Sequence, residues 1–403
     1  MTSRLQQLTD QGVAVWVDSI ARDWIQKGEL RRLRDQFQVV GVTSNPTIFQ
    51  KAMGEGSFYD EDITRLAGQG LDAQAIFESL ALDDIRAAAA DMEPVWERTG
   101  GVDGRISFEV APDIADDTQA TISEARRLFD ELARPNVFIK IPATAAGVPA
   151  IRASIATGIN VNVTLIFSIQ RYREVIEAYL GGLEELAEAG GDLTEVASVA
   201  SFFVSRVDTL VDKELQAIVD KGGDQADAAR DRLGTAAIDN AKLAYEVFEQ
   251  TFQGARWAEL ERQGARVQRP LWASTSTKNP DYRDVLYVEE LVARDTVNTM
   301  PLETIEAFAD HGEVRGQTAR EDLDRAHRLW NDLAELGIDE GEVGWRLERE
   351  GVEKFADSYN GAVETIEAKR TRLGGSGRRG PGNRSIEILE GPPEAGGSTE
   401  GRE

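Results

Sequence analysis

Short runs rich in Val, Ile and Phe alternate along this chain with longer segments in which apolar residues recur at helical spacing. The short runs have the length and β-branched content of buried strands. Strands joined by helical crossovers pair in parallel, and eight such units predict an α/β fold, a single (β/α)8 TIM barrel with additional helices. The predicted strands are 13–18, 39–44, 105–110, 137–141, 160–167, 196–203, 269–274 and 295–300.

The segments between these runs carry the apolar stripes of amphipathic helices. Residues 118–133 and 318–336 each put their apolar side chains on one helical face. The segment 208–264 is helical in pattern throughout and is interpreted as two helices of the outer ring. Because the chain exceeds the roughly 250 residues of a plain barrel, extra helices are expected within 54–97, within 208–264 and after Met300.

The composition changes at the C-terminus. Residues 374–403 include nine Gly and three Pro among Ser and charged residues. Such a segment buries too little apolar surface to offset the entropy lost on ordering. We therefore predict one barrel domain with its extra helices over 1–372, followed by a flexible Gly/Pro-rich tail over 373–403.

The charge balance narrows the class of protein. The 45 Lys+Arg against 71 Asp+Glu give a formal charge of −26. This argues against nucleic-acid binding and docking on anionic lipid, since both need a basic face. No stretch reaches the roughly 20 apolar residues of a membrane span, and the N-terminus lacks the apolar run of a signal peptide. We expect a cytoplasmic protein with no nucleic-acid or membrane partner, either monomer or homodimer.

The scarcity of sulfur and imidazole ligands limits the possible chemistry. The absence of cysteine excludes disulfides, Cys-ligated zinc, iron–sulfur clusters and thiol nucleophiles. With only two histidines, His311 and His327, a His-rich metal site is excluded and a Ser-His-Asp triad is disfavoured. Any catalysis must then use Lys, Asp, Glu, Ser, Thr, Asn and Arg.

Polar residues collect at the predicted C-terminal ends of the strands, where barrel enzymes carry their chemistry. Lys140 lies within the apolar run Val-Phe-Ile-Lys-Ile-Pro, where a cation is costly to bury and a neutral amine can form a Schiff base with a carbonyl. There are two structural alternatives for Lys140. Its aliphatic stem could be packed while its ammonium group reaches solvent, or its ammonium group could pair with a carboxylate. The other strand-end residues are Asp18, Thr43, Ser44, Asn45, Glu109, Asn162, Thr164, Ser201 and Ser274.

Two carboxylates and two polar strand residues complete the candidate chemistry. Asp18 and Glu109 come from different strands and suit the two proton-transfer roles of a Schiff-base reaction. The alternatives are a loop or cap residue for Asp18 and a rim salt bridge for Glu109. Asn162 and Thr164 lie two apart in a strand and share a face. Because an unpaired amide against an apolar helix layer is costly, that face is predicted to be the lumen.

Seven segments resemble the transaldolase family in its longer bacterial form. Each lies on a predicted strand or at its end, and together they run in order from about Val15 to Met300. They are WVDS at 16–19, GVTSNPT at 41–47, ISFEV at 106–110, FIKIPAT at 138–144, GINVNVTLIFS at 158–168, SFFVSRVD at 201–208 and WAST at 272–275.

The resemblance implies an activity. Transaldolases transfer a dihydroxyacetone unit from sedoheptulose 7-phosphate to glyceraldehyde 3-phosphate, giving erythrose 4-phosphate and fructose 6-phosphate in the non-oxidative pentose phosphate pathway. They use a lysine Schiff base and no metal or organic cofactor. A fructose 6-phosphate aldolase-type lyase is the nearest rival interpretation, and a non-catalytic barrel scaffold is the rival from a different class.

The resemblance also implies roles for individual residues. The Schiff-base lysine falls on Lys140 and the general acid/base on Asp18. The glutamate that activates a catalytic water falls on Glu109, with Thr164 as its partner. The remaining matches are substrate-binding residues at Thr43, Asn45, Asn162, Ser201 and Ser274, the phosphate-binding Arg206, and Phe203, which fits the exclusion of water.

The chain departs from the family at one point. Shorter members carry a second phosphate-binding arginine just after the serine of strand seven, whereas residues 274–278 here read STSTK. Lysine can bind phosphate as a point charge, so Lys278 is the predicted substitute, with a solvated loop charge as the alternative. Arg206 also has a structural alternative, an ion pair with Asp208 or Asp212.

Overall fold

The computed structural model describes residues 3–376 and places the eight predicted strands in one closed parallel barrel. Strands adjacent in sequence are adjacent in the sheet, and the last pairs with the first. The predicted (β/α)8 TIM barrel is therefore confirmed, with strand ends within two residues of those predicted. The strands are β1 (Val13–Val17), β2 (Val39–Thr43), β3 (Arg105–Glu109), β4 (Val137–Pro142), β5 (Val161–Ile166), β6 (Ser198–Phe203), β7 (Arg269–Ala273) and β8 (Thr296–Met300).

Helices surround the barrel and supply the crossovers. The described residues hold seventeen α-helices and three short 3-10 turns, at Pro112–Ile114, Leu193–Glu195 and Thr318–Arg320. The helices are α1 (Arg4–Asp10), α2 (Arg22–Lys27), α3 (Glu29–Phe37), α4 (Pro46–Gly54), α5 (Asp60–Gly68), α6 (Ala73–Arg98), α7 (Thr118–Leu132), α8 (Gly147–Ala156), α9 (Ile169–Glu188), α10 (Ser205–Lys221), α11 (Ala226–Arg232), α12 (Ala236–Phe252), α13 (Ala255–Arg262), α14 (Leu286–Glu290), α15 (Leu302–His311), α16 (Leu323–Glu335) and α17 (Glu340–Ser376).

The segment 208–264 differs from its prediction. It contributes to four helices, α10 to α13, and not to two. Two of the breaks contain Gly222, Gly223 and Gly234, all of which have positive φ angles. That conformation ends a helix at little cost for glycine. The apolar periodicity continues across such short breaks, which is why the pattern indicated longer helices.

The predicted helix 318–336 is also divided. It consists of the 3-10 turn Thr318–Arg320 and α16, and Asp322 stands between them with a φ of +56°. The Thr318 hydroxyl donates to the Glu289 carbonyl at 2.7 Å. This tertiary contact fixes the turn, and sequence periodicity does not report it.

Aromatic side chains fill the lumen beneath the C-terminal mouth of the barrel. Trp16 and Phe138 are buried and stack with ring centroids 6.1 Å apart. Gly41 allows this arrangement, because a Cβ at that position would lie 2.3 Å from the Trp16 ring. These two rings therefore form a closely packed apolar part of the floor of the mouth.

The long helix α17 passes over the mouth of the barrel. It packs against α4, α5 and α6 and against β5. Gly351 permits the close approach, because a Cβ there would lie 2.9 Å from Leu165 Cδ2. Further along the helix, the Lys369 ammonium donates to Asp60 at 3.1 Å and to the Gly56 carbonyl at 2.9 Å. One wall of the mouth is thus built from a C-terminal element.

The C-terminal helix extends past the predicted domain boundary at residue 372, since α17 continues to Ser376. The remainder of the predicted tail, 377–403, lies outside the described residues, so the flexible tail stays a prediction. Within residues 3–376, no helix combines the length and the apolar content needed to span a membrane.

Candidate active site

A cavity of about 550 Å³ opens at the C-terminal ends of the strands, beneath α17. Every site residue predicted from the sequence lines this cavity except Asn162. The strand ends converge because all strands of the barrel run in parallel. The predicted residues that line the cavity are Asp18, Thr43, Asn45, Glu109, Lys140, Thr164, Ser201, Phe203, Arg206, Ser274 and Lys278.

Lys140 projects into the lumen from β4, with 7% of its surface exposed. Its Nζ donates to Glu109 Oε2 at 3.2 Å and to the Ser44 carbonyl at 3.4 Å. Glu109 ends β3 directly opposite Lys140 in the strand register, so parallel pairing itself brings the two groups together. Lys140 therefore lies in the lumen, and its amine forms a pair with a carboxylate, which was one of the two structural alternatives; its role as the nucleophile stays a prediction.

Burial governs the proton equilibrium of this pair. Desolvation raises the pKa of the Glu109 carboxyl, and the neighbouring Lys140 ammonium opposes that shift. A carboxyl with a raised pKa binds a proton more readily. Glu109 is therefore suited to accept the proton of Lys140 and leave a neutral amine, the form that attacks a carbonyl.

Asp18 follows β1 and accepts a hydrogen bond from a hydroxyl group of β2, which a second hydroxyl, on β8, contacts in turn. Thr43 Oγ1, on β2, donates to Asp18 Oδ1 at 2.7 Å. The Oγ1 atoms of Thr43 and Thr299, which lies on β8, are 2.6 Å apart. These contacts fix one oxygen of the carboxylate at the cavity wall, as a general acid/base requires.

Thr164 is placed by an irregularity in β5. The pairing of β5 with β6 shifts register between Val163 and Ile166, and Leu165 has a φ of +61°. Such bulges redirect side chains and are common beside active sites. The buried Thr164 Oγ1 has no hydrogen-bond partner within residues 3–376. Because buried hydroxyls are nearly always hydrogen-bonded, this one is suited to bind a water or a substrate hydroxyl.

Asn162 faces the lumen, as predicted, but it does not line the cavity. Its Nδ2 donates to Ser107 Oγ at 2.9 Å, and its Oδ1 accepts from Ser201 Oγ at 2.7 Å. The side chain is fully buried. In this geometry Asn162 supports Ser201, which does line the cavity, and direct contact with a substrate would require its side chain to reorient.

Local backbone structure places Asn45 and Ser274. Asn45 caps α4 by accepting from the Ile48 amide at 3.1 Å through Oδ1, and its amide nitrogen remains available to the cavity. Ser274 has a φ of +57°, and its Oγ lies 2.8 Å from Ser205 Oγ. A non-glycine residue with positive φ costs free energy and is found preferentially at functional sites.

Arg206 supplies positive charge from the first turn of α10. Its guanidinium lies 4.9 Å from the centre of the Phe203 ring. Burial lowers its pKa, and nearby carboxylates oppose that shift. Asp208 and Asp212 accept hydrogen bonds from other donors, so the alternative ion pair is not formed. Within residues 3–376 no carboxylate pairs with Arg206, and a cation of this kind at a helix N-terminus is suited to an anionic ligand.

Lys278 lines the same cavity beside Ser276. Its Nζ donates to Ser276 Oγ at 2.8 Å. No carboxylate of the described chain lies within ion-pair distance of it, unlike most basic side chains of this acidic protein. Its charge is therefore available to an anion, and its role in phosphate binding stays a prediction.

Comparison with known proteins agrees with this geometry. A family model described as Transaldolase/Fructose-6-phosphate aldolase matches residues 15–366. The chain belongs to this family. Transaldolase from Mycolicibacterium paratuberculosis (strain ATCC BAA-968 / K-10) is 51% identical over 375 residues, covering 93% of this chain and 98% of that protein. Transaldolase 2 from Streptomyces coelicolor (strain ATCC BAA-471 / A3(2) / M145) is 49% identical over 373 residues, covering 93% and 99%.

Membership of the transaldolase/fructose-6-phosphate aldolase family extends over all strands that line the cavity and over most of α17. Transaldolase from Parafrankia sp. (strain EAN1pec) is 50% identical over 374 residues, covering 93% of this chain and 99% of that protein. These full-length similarities support an enzyme that transfers aldehyde or ketone residues and disfavour a non-catalytic scaffold.

The contribution of α17 to this transaldolase-family site was not predicted from the sequence. Gly351, Lys354, Phe355 and Ser358 line the cavity at i, i+3, i+4 and i+7 spacing, which is one helical face. The Ser358 hydroxyl also accepts from Thr47 Oγ1 at 2.7 Å. The small and basic residues on this face were a signal, but a charged helical face is far more often exposed to solvent.

Proposed function

We propose that this chain is a transaldolase that moves a dihydroxyacetone unit from sedoheptulose 7-phosphate to glyceraldehyde 3-phosphate through a Schiff base on Lys140. The observation that carries the proposal is the Lys140–Glu109 pair, 3.2 Å apart in a lumen whose mouth also presents Asp18. One amine and two carboxylates are the groups that imine formation and carbon–carbon cleavage need.

Imine formation begins with a proton transfer within the buried pair. Glu109 takes the proton of Lys140, and the neutral amine adds to C2 of the ketose. Glu109 and Thr164 hold the water that carries protons to and from the carbinolamine as its hydroxyl leaves. The raised pKa of Glu109 supports this role, because a carboxyl that protonates readily serves both as base and as acid.

Cleavage uses the second carboxylate of the cavity, that of Asp18. Asp18 removes the proton of the C4 hydroxyl, the C3–C4 bond breaks, and the bond electrons move into the protonated imine. The aldose leaves, a second aldose enters, and the same steps run in reverse. Asn45 and Ser201 hold the hydroxyl groups of the three-carbon unit, with Asn162 positioning Ser201.

The phosphate of the sugar is proposed to bind at the cationic part of the cavity. Arg206 at the N-terminus of α10, together with Ser274, forms the core of this subsite. Lys278 is proposed as the second cation in place of the arginine of shorter family members, and Lys354 on α17 presents a further ammonium to the same cavity.

The two lysines should separate binding from chemistry. We expect Lys278→Met and Lys354→Met each to raise KM for fructose 6-phosphate by roughly tenfold or more, because a charge-assisted hydrogen bond is lost. The turnover number should change little, since phosphate binding is the same in ground and transition states. Steady-state kinetics with phosphorylated and unphosphorylated donors measures this.

Arg349→Met is the matched control for loss of positive charge on α17, because Arg349 is exposed and lies over Trp345 outside the cavity. An unchanged KM in one lysine variant removes that residue from the phosphate subsite. An equal rise in KM for the unphosphorylated donor would indicate that the substitution disturbs the mouth of the barrel in general and not phosphate binding.

On the acid side of the pH profile, activity should begin to fall at a higher pH than the pH at which an ordinary glutamate becomes protonated. Burial raises the pKa of Glu109. As the pH falls below that value, the carboxyl becomes protonated and cannot accept the Lys140 proton, so kcat/KM declines. Glu109→Gln should lower kcat/KM by about 10²–10⁴-fold and abolish this decline. The measurement is kcat/KM as a function of pH.

Glu188→Gln, which removes an exposed carboxylate, should keep the wild-type profile. If Glu109→Gln retains the acid decline at the same pH, another group is responsible for it and the proton relay is assigned wrongly.

Transfer and not release of dihydroxyacetone is expected, because Phe203 and α17 restrict water at the bound three-carbon unit. Fructose 6-phosphate alone should yield little free dihydroxyacetone, and adding erythrose 4-phosphate should start rapid turnover. Equal turnover without an acceptor would favour the lyase of the same family. Because sugar phosphates are charged and do not cross a bilayer, we propose a cytoplasmic location for this activity.

A further inference from the structure

A second cavity of about 150 Å³ lies at the opposite end of the barrel, among the segments that precede β3, β4, β6 and β7. Its wall includes Trp96 at the end of α6, Gly101 before β3, and Arg266 before β7. It shares no lining residue with the candidate active site. Transaldolase chemistry at the C-terminal mouth therefore makes no use of it.

Two hydrogen-bond donors in this cavity are buried and unsatisfied. Arg266 Nη1 and Trp96 Nε1 have no partner within residues 3–376. Both lie close to one point beside Gly101, because a Cβ placed on that glycine would be 3.1 Å from Arg266 Nη1 and 3.2 Å from Trp96 Nε1. The two donors therefore approach the same side of Gly101, so that one acceptor oxygen in the cavity beside this glycine could lie within hydrogen-bond reach of both.

The cavity also presents two arginine side chains that form no ion pair within residues 3–376. Arg105 is buried, and it donates only to carbonyl groups, those of Gly101 at 3.0 Å and Pro135 at 2.8 Å. Burial lowers the pKa of Arg105 to about 9, and the charges of Arg266 and Arg269 act in the same direction. Within residues 3–376 neither Arg105 nor Arg266 has a carboxylate within ion-pair distance, in a chain whose formal charge is −26.

Neighbouring acidic groups offset only part of this charge. Arg269 is paired with Asp103 at 2.9 Å. Glu97 and Glu195 also line the cavity, but both are exposed to solvent, and within residues 3–376 neither lies within ion-pair distance of Arg105 or Arg266. A bound anion would pair with the guanidinium groups directly, whereas a water molecule could satisfy the donors but not their charge.

We propose that this cavity is a binding site for a small oxyanion of the phosphate class. One oxygen of the anion accepts from Arg266 Nη1 and Trp96 Nε1, and the Arg105 and Arg266 guanidinium groups balance its charge. The volume of about 150 Å³, against about 550 Å³ at the active site, fits an inorganic anion or the terminal phosphate of a longer molecule, and not a whole sugar phosphate.

Trp96 offers a direct readout of binding, because its indole N–H is one of the two donors. The chain has seven tryptophans, so a ¹⁵N correlation spectrum of the full-length protein shows up to seven indole signals, and Trp96→Phe identifies the one that belongs to Trp96. Titration with inorganic phosphate at constant ionic strength should shift this signal saturably. Chloride should not shift it. A Trp96 signal that phosphate leaves unmoved would overturn the proposal and indicate a water site.

Variants at Arg266 test which side chain forms the site. Arg266→Met should weaken phosphate binding by roughly tenfold or more, because a charge-assisted hydrogen bond is removed. Arg262→Met, four residues away on α13, removes an exposed arginine that pairs with Glu259 and should keep wild-type affinity. If phosphate binding is weakened equally in both variants, the change in net charge explains the effect, and the proposed site is wrong.

Two further arms complete the test. If Arg266→Met fails to fold, Arg266→Lys replaces it, because this variant retains a cation but loses the guanidinium geometry. It should still bind phosphate more weakly than the wild type. Unchanged binding would overturn the assignment of Arg266. Glycerol 3-phosphate distinguishes the source of the phosphate group, since tighter binding than inorganic phosphate indicates a phosphate monoester and weaker binding indicates the free anion. Either result supports an oxyanion site.

Discussion

Replacing Lys140 with methionine is expected to abolish covalent trapping of the substrate and to lower turnover by about 10⁴-fold or more, as loss of a nucleophile does in other enzymes. The reason is that no other side chain of the cavity can supply an amine to the C2 carbonyl from the lumen beside Glu109. Borohydride reduction in the presence of fructose 6-phosphate, followed by mass spectrometry of peptides, measures the trapping. In the wild type the added mass should lie on the peptide that contains Lys140.

Lys242 is the matched control for this experiment. It is also buried, and desolvation lowers its pKa, which makes it the rival amine on electrostatic grounds. Its Nζ donates to the Glu321 carbonyl at 3.0 Å, and it does not line the active-site cavity. Lys242→Met should trap substrate as the wild type does. Trapping that persists in Lys140→Met, or added mass on another lysine of the wild type, would move the nucleophile elsewhere.

The barrel and the identity of its polar strand ends were predictable from the sequence because two strong physical signals coincide there. β-Branched runs separated by helical segments define the strands, and a cation or an amide inside such a run has few inexpensive positions other than the lumen. Lys140 and Asn162 both follow this logic. The contact of Lys140 with Glu109 then results from the register of β3 with β4.

Depth within the barrel was not predictable in the same way. The alternation of side chains assigns Asn162 to the lumen, but the tilt and stagger of the strands decide which layer it reaches. Asn162 lies below the cavity, hydrogen-bonded to Ser107 and Ser201. Similarly, the positive φ of Leu165 could not be predicted, because the residue is neither glycine nor asparagine and tertiary packing imposes the bulge.

Long-range packing also concealed the role of α17. Lys354 is more than fifty residues beyond β8 in the sequence, and its local pattern is that of an exposed helix. Packing against α4, α5, α6 and β5, with Gly351 close to Leu165, brings this helix over the mouth. These are long-range contacts, and the local apolar pattern of the helix does not report them.

Replacing Asp18 with asparagine is expected to separate the two halves of the reaction. The amide keeps the size of the carboxylate and an oxygen that can accept from Thr43 Oγ1, but it cannot remove the proton of the C4 hydroxyl. Imine formation depends on Lys140 and Glu109 and should continue, whereas cleavage of the C3–C4 bond should slow by about 10²–10⁴-fold.

The mass of the trapped adduct tests this separation more sharply than a rate alone. With fructose 6-phosphate, borohydride should trap an adduct of the whole six-carbon sugar phosphate on Lys140 in Asp18→Asn, while the wild type should also accumulate the three-carbon adduct as the aldose departs. Asp23→Asn, which removes a nearby carboxylate that pairs with Lys27, should behave as the wild type. A three-carbon adduct that forms as fast in Asp18→Asn as in the wild type would exclude Asp18 as the base. In this geometry imine formation needs Glu109 and cleavage needs Asp18. Loss of the Asp18 carboxylate alone should therefore still allow the six-carbon adduct to form on Lys140.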